Sequence, residues 1–258
     1  MVGSLVAVQT KLDRAKEHLV AVDAEQTALV GPDTYRTVLV QKDTEGRRYG
    51  LRIEGLGPIP TRFAAIVGDC LNNCRSVLDY LACLFVVAQG GRVTEQTAFP
   101  IKTQPPKGDL QISGLSSKAP AMADILALQP YSGPEPDTHP LAWLNALNNF
   151  DKHQQLLFNI VTHGGMAVPI PADRPAPGGV LSDVTLKDRD ELTEFYFPPP
   201  WTREEITNFK PGIGLGVKID PALGFHRSVT AGMPVTAVLD FIVQTVEKIV
   251  LPRLAPLC

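Results

Sequence analysis

Asp69-Cys70-Leu71-Asn72-Asn73-Cys74-Arg75-Ser76-Val77-Leu78-Asp79-Tyr80, the middle of a stretch running from Thr61 to Gln89, decides the reading of this chain. Apolar residues recur at Phe63, Ile66, Val67, Cys70, Cys74, Val77, Leu78, Leu81, Leu84, Phe85 and Ala88. That is a helical period held along the whole stretch. Asn72, Arg75 and Asp79 share the opposite face, flanked by Asp69, Asn73, Ser76 and Tyr80. From Leu81 to Ala88 every residue is apolar, and a helix apolar all round is a buried one. The polar cluster therefore belongs at the edge of a core or an interface.

Working outward, Leu5, Val8, Leu12, Ala15, Leu19, Val22 and Leu29 fall on a series of alternating spacings of three and four interrupted only by Gln26, the seam of a packed helix over residues 3–29. Gly31-Pro32 stops it. The period then changes. Tyr35 to Val40 and Tyr49 to Ile53 are strand-like around an Asp43-Thr44-Glu45-Gly46 turn, giving a β-hairpin over 34–54. Arg36, Lys42, Arg47, Arg48 and Arg52 make it the most basic short region, either a solvated strand face or a contact for phosphates.

After Gly90-Gly91 comes a loop rich in Pro, Gly and Ser, then a short helix over 119–128. A third long helix is expected over 141–163, with Trp143, Leu144, Leu147, Phe150, Leu157, Phe158 and Val161 on its apolar face. Asp151 projects to that apolar side. A carboxylate there needs a partner, and Arg75 is the first candidate. Residues 166–225 read as β-rich, with strands at 180–186, 192–197 and 212–219, so the second β insertion covers about 179–219. The last helix spans 234–251 and is broken by Pro252.

The expected class is mainly α (α+β): a four-helix bundle with a β-hairpin after the first helix and a small β-rich insertion before the last. One domain over 1–258 is expected, because the first and last helices are both needed to close the bundle around the central one.

Composition narrows the function. Hydrophobic residues are 44% and charged residues 20%, which describes a folded chain and not a disordered one. The net charge of −3 supplies no general field for DNA. No apolar run is long enough for a membrane span, and the first residues lack the pattern of a signal peptide. Of the four cysteines, Cys70, Cys74 and Cys83 lie on the central helix and Cys258 ends the chain, as packing residues of a reducing, cytoplasmic protein. Metal-ligand spacing is missing, His18, His139, His163 and His226 show no mutual spacing, and Gly-x-Ser-x-Gly is absent. No cofactor or metal is expected.

The run Gly68-Asp69 to Tyr80 resembles a motif of a large group of uncharacterised bacterial proteins, which carry Gly-Asp, an Asn, then Arg-Ser-Ala-Leu-Asp-His. Those proteins also share Phe-Pro-Ile, Leu-Gln-Pro-Tyr and Asn-x-Asp-Lys-His-Arg. This chain has Phe99-Pro100-Ile101, Leu128-Gln129-Pro130-Tyr131 and Asn149-Phe150-Asp151-Lys152-His153-Gln154 in the same order. The Arg-x4-His pattern on a bundle helix is in turn similar to HEPN domains. Many of those are dimeric, metal-independent ribonucleases whose Arg and His meet across the interface.

The resemblance implies a HEPN-like bundle, a homodimer, and RNA as the ligand or substrate. Arg75 takes the arginine position, Asn72 or Asn73 the preceding polar position, and Tyr80 the histidine position. Asp79, Asp151 and His153 are supporting candidates. A phenol with a pKa near about 10 shuttles protons at neutral pH less readily than imidazole. Two other readings stand beside this one. Arg75 and Asp79, one turn apart, can simply pair and hold a bundle or dimer together in a non-enzymatic interaction or structural protein. Alternatively, Trp143, Trp201 and Tyr131 could wall a small-ligand pocket.

Overall fold

The computed structural model describes residues 4–177, 185–219 and 233–258, leaving aside the side chains of residues 163–165. His226, the side chain of His163 and most of the strand expected over 180–186 lie outside the described residues. The chain divides into two compact units. One comprises Met1–Asp23, Thr61–Leu157 and Ile219–Cys258; the other comprises Ala24–Pro60 and Phe158–Lys218.

The first unit is helical. The opening helix α1 spans Leu5–Val30, and Val8, Leu12, Ala15 and Val22 of its seam are buried. The central helix α2 spans Thr61–Ala88. Its apolar stripe is buried from Phe63 to Phe85 except at the half-buried Ile66 and Leu84, while Val87 and Ala88 at its end are exposed, and Cys70 donates from Sγ to the Ala15 carbonyl at 3.3 Å. α2 is the one described helix long and apolar enough to cross a membrane, but 56% of its most apolar window is buried inside the protein, as in a core helix. It ends in a paired glycine stop. Gly90, at φ +70°, donates to Val87, and Gly91 donates to Val86, so the last carbonyls are satisfied by a turn that favours glycine.

α3 (Ala121–Ala127) and α4 (Pro140–His153) follow, and α4 packs on α2. His139 caps α4, its Nδ1 accepting from the Leu141 N–H at 3.1 Å. Burial lowers the pKa of this imidazole below its usual 6.5, which keeps Nδ1 free to accept. The closing helix α6 (Val235–Thr245) runs through a π turn at Val246–Val250 into α7 (Leu251–Leu254). Pro252 was expected to break this helix; instead the wider turn ahead of it accommodates the missing N–H.

The second unit is built on strands. β1 (Arg36–Gln41) and β2 (Arg48–Glu54) form the expected hairpin. The Asp43 carboxylate caps its turn, accepting from the Arg47 and Arg48 amides at 2.9 and 3.1 Å. β5 (Glu191–Tyr196) joins β2 to give the order β1-β2-β5. A second sheet has the order β4-β3-β6, from β3 (Phe158–Ala167), β4 (Thr185–Leu186) and β6 (Gly212–Ile219). The short helix α5 spans Arg203–Thr207 and opens on a reciprocal Thr202–Glu205 cap. Phe195, Phe197, Trp201 and Phe209 pack edge-to-face at 5.1–5.8 Å between ring centroids, except Phe195 and Phe197, which are tilted by 49° at 5.9 Å.

The four-helix HEPN-like bundle with small β insertions, mainly α in class, is thus overturned. The architecture is mixed, with two antiparallel sheets. Two local misreadings account for this. The helix expected over 141–163 ends at His153, where Gln154 turns extended at φ −148° and ψ 151°. Leu157, Phe158 and Val161, counted as its last turns, belong to the approach and body of β3. A short run of aromatic and β-branched residues satisfies both periods, and only its length and flanks separate them. The hairpin is also no appendage, because β2 recruits β5 from far along the chain into one sheet.

Candidate functional site

Gly68, Asn72, Arg75 and Asp79 fall at helical spacing on one face of α2, and two groupings form along it. The first centres on Arg75. Its guanidinium donates from Nε and Nη2 to the two Asp79 carboxylate oxygens at 3.1 and 2.8 Å, and from Nη2 to the Phe99 carbonyl at 2.7 Å. Asp79 in turn accepts the Phe99 N–H at 2.9 Å. The ion pair therefore closes a ring with both polar backbone groups of Phe99, a residue whose side chain is buried. The Arg75 side chain is only 12% exposed and that of Asp79 is 31% exposed. Among the described residues, Nη1 alone of the guanidinium nitrogens has no hydrogen-bond partner.

Gln129, 1% exposed, holds the same loop from the other side. Its Nε2 donates to the Pro100 and Ile125 carbonyls at 2.9 and 3.0 Å, and its Oε1 accepts the Lys102 N–H at 3.0 Å. Tyr131 adds a backbone bond to the Lys102 carbonyl at 3.3 Å. The sequence reading had passed over Gln129 and Phe99 as site residues. Their signal was the pair of short motifs that contain them.

The second grouping lies two turns toward the start of α2. The Asp151 carboxylate sits over Gly68 so closely that a Cβ there would lie 2.4 Å from Oδ2. Glycine at this position makes room for the acid. Burial first, then the nearby Asp69 charge, raises the Asp151 pKa above its ordinary value. Asp151 does project inward from α4, but the expected pairing with Arg75 does not form, because that guanidinium is committed to Asp79 and Phe99.

The remaining candidates are dispersed. Asn72 is exposed and offers its backbone carbonyl to Ser76 Oγ at 2.8 Å. Asn73 is buried and donates to the Asp69 carbonyl at 2.8 Å. Tyr80 is half-buried and His153 exposed, and neither side chain makes a hydrogen bond among the described residues. Arg75, Tyr80 and His153 are not brought into one hydrogen-bonded set. No group of three metal-ligating side chains occurs among the described residues.

The basic hairpin is balanced by acids. Arg36 pairs with Glu54 at 2.7 Å, Lys42 with Glu191 at 2.6 Å and Arg48 with Glu194 at 3.7 Å. Arg47 donates to the Trp201 carbonyl at 2.7 Å. Both tryptophans named for a ligand pocket use their ring N–H groups inside the protein. Trp143 and Trp201 are buried, with their indole N–H groups bonded to the Asp137 and Pro175 carbonyls. Two clefts of 400 and 340 Å³ in the β unit have other linings, the larger including Tyr35, Arg36, Glu54 and Arg189.

Comparison with protein-family models, with curated proteins and with solved structures returned no match.

Proposed function

We propose that this protein works by non-enzymatic interaction, and that the Arg75/Asp79 cluster on α2 is a clamp holding the fold. One observation carries this reading: three of the five N–H groups of Arg75 are used within the protein, on Asp79 and on the main chain of a buried residue. An arginine that grips phosphate in a transition state presents its fork to the ligand. Here the fork grips the chain itself. The local charge supports the same reading, since Arg75 is offset by Asp79, and Asp69 on the same helix and Asp151 of α4, which sits over Gly68, add negative charge beside it. Such a surface repels a polyanion. The four free thiols favour a reducing, cytoplasmic setting.

The test compares the parent protein with Arg75→Ala, measuring RNA cleavage in EDTA and thermal unfolding on the same samples. The clamp reading expects no cleavage by either and a lower melting temperature for the variant. Cleavage by the parent that disappears in a variant of unchanged stability would overturn it in favour of a metal-independent ribonuclease.

A further inference from the structure

β1 is an edge strand among the described residues, in the sheet order β1-β2-β5. The Lys42 N–H donates to the Arg48 carbonyl at 2.8 Å, which fixes the phase of the ladder. Alternate residues of an antiparallel strand bond to the same side, so Arg36, Val38, Val40 and Lys42 bond inward to β2. Thr37, Leu39 and Gln41 aim their N–H and C=O groups away from it. None of these outward groups has a described hydrogen-bond partner.

Proteins ordinarily blunt such an edge with a mid-strand charge, a proline or a bulge. Thr37-Val38-Leu39-Val40 has none of them, and its register with β2 is unbroken; the irregularity in this sheet lies on the β2–β5 side. The charges stand at the two ends. Arg36, with a side chain 77% exposed, uses Nε and Nη2 on Glu54 and leaves Nη1 open, while the Lys42 ammonium, on a side chain 38% exposed, spends one of its three N–H donors on Glu191 at 2.6 Å and keeps others for a second acid.

We propose that the β1 edge receives an extended segment of a partner protein, added as a further antiparallel strand, with an apolar centre and an acidic residue at each end. The partner exchanges a pair of hydrogen bonds at each of Thr37, Leu39 and Gln41. Its acids stand opposite Lys42 and Arg36, and its apolar residues lie beside Val40 and Val38. The charges also decide against a second copy. Two β1 strands could pair antiparallel about Leu39, but that register sets Arg36 of each copy opposite Lys42 of the other, and like charges directly opposite destabilise.

This inference rests on the interaction reading above and can fail apart from it. The probe is a synthetic heptapeptide, Glu-Thr-Val-Leu-Val-Thr-Glu, titrated against the full chain by fluorescence anisotropy. Saturable binding is expected, weakened roughly tenfold when both Glu residues become Lys, since attraction turns to repulsion at both ends. N-methylation of the central Leu, whose amide faces β1, should also weaken binding roughly tenfold. The same change on either Val, whose amide faces away, should be tolerated. These peptide variants leave the protein untouched, so misfolding cannot mimic the result.

No saturation by about 1 mM peptide, or equal effects of methylation at all three positions, would overturn the proposal. So would a dimer in sedimentation velocity that Leu39→Pro dissociates, which would give the edge to a second copy. If peptide binding fails while Arg75→Ala still lowers stability without any RNA cleavage, the edge assignment falls and the clamp reading stands.

Discussion

Arg75→Ala should destabilise the helical unit by about 1.5–4 kcal/mol. The estimate has two parts. The substitution leaves the Phe99 carbonyl without the donor that reaches it at 2.7 Å, beside a side chain that is 1% exposed. An orphaned buried acceptor costs about 1–3 kcal/mol. The bidentate pair with Asp79 is lost as well, but Asp79 is 31% exposed and keeps the Phe99 N–H. Water replaces part of the guanidinium, so this loss is held to about 0.5–1 kcal/mol. Alanine has the highest helix propensity, so α2 itself is not weakened. At about 2–4 °C per kcal/mol for a chain of this size class, the melting temperature should fall by roughly 3–16 °C. Circular dichroism melting of the parent, Arg75→Ala, Asp79→Ala and the double variant is the assay. Both side chains hold Phe99, so the double variant should lose less than the sum of the singles, by about 1 kcal/mol. A melting temperature within about 2 °C of the parent for Arg75→Ala would refute the reasoning.

Three further outcomes follow from the same geometry. Gln129→Leu keeps the side chain similar in size but removes its amide, orphaning the Pro100 carbonyl and the Lys102 N–H; urea unfolding should show a loss of about 2–4 kcal/mol. Asp151→Asn should raise the melting temperature at pH 7. Burial and Asp69 lift the folded-state pKa of Asp151 above 3.8, so the folded protein holds that proton more tightly than the unfolded chain. Stability from this group is full below 3.8 and declines as pH rises through the raised value; melts at pH 7 and pH 3 should show the gain only at the higher pH. Glu205 runs the other way: hydrogen bonding from Arg174, then from Thr202, lowers its pKa from 4.5 to about 2. Its contribution is full above pH 4.5 and lost as pH falls toward 2, and Trp201 fluorescence should report a transition in that window which Glu205→Gln removes.

The parts of the fold legible in the sequence were those with long, unambiguous patterns. The α2 stripe, the α1 seam, the hairpin turn at Asp43–Gly46 and the strand Gly212–Ile219 each carry many residues that agree with one period or one turn chemistry. The boundary between α4 and β3 was not legible, because Leu157, Phe158 and Val161 fit a helix as well as a strand. The partner of β2 was not legible either. Nothing local in Tyr49-Gly50-Leu51 names Phe195-Glu194-Thr193 as its neighbour, and such long-range pairing is settled by packing. At the candidate site, the Arg75–Asp79 pair follows from helical spacing, and the inward Asp151 follows from its angle on α4. The place of Asp151 was missed, since the sequence reading gave it Arg75 as a partner, whereas its carboxylate lies over Gly68, the first residue of the motif.

The motifs admit a single mechanical account. Arg75 and Asp79 take both backbone groups of Phe99; Gln129 takes the next carbonyl and the amide beyond Ile101; Tyr131 takes the carbonyl after that. Two segments, far apart in the chain, thus close on one loop that has no regular hydrogen bonding of its own. A buried loop needs such partners, because backbone groups removed from water must be paired. Side chains that supply them are as constrained in identity as catalytic ones: lysine lacks the fork to hold Asp79 and Phe99 together, and glutamate cannot donate to Pro100. Residue types fixed at fixed spacings can therefore arise here without any reaction. What separates the two origins is where the hydrogen bonds end, and those of Arg75, Asp79 and Gln129 end on the protein's own main chain and on one another.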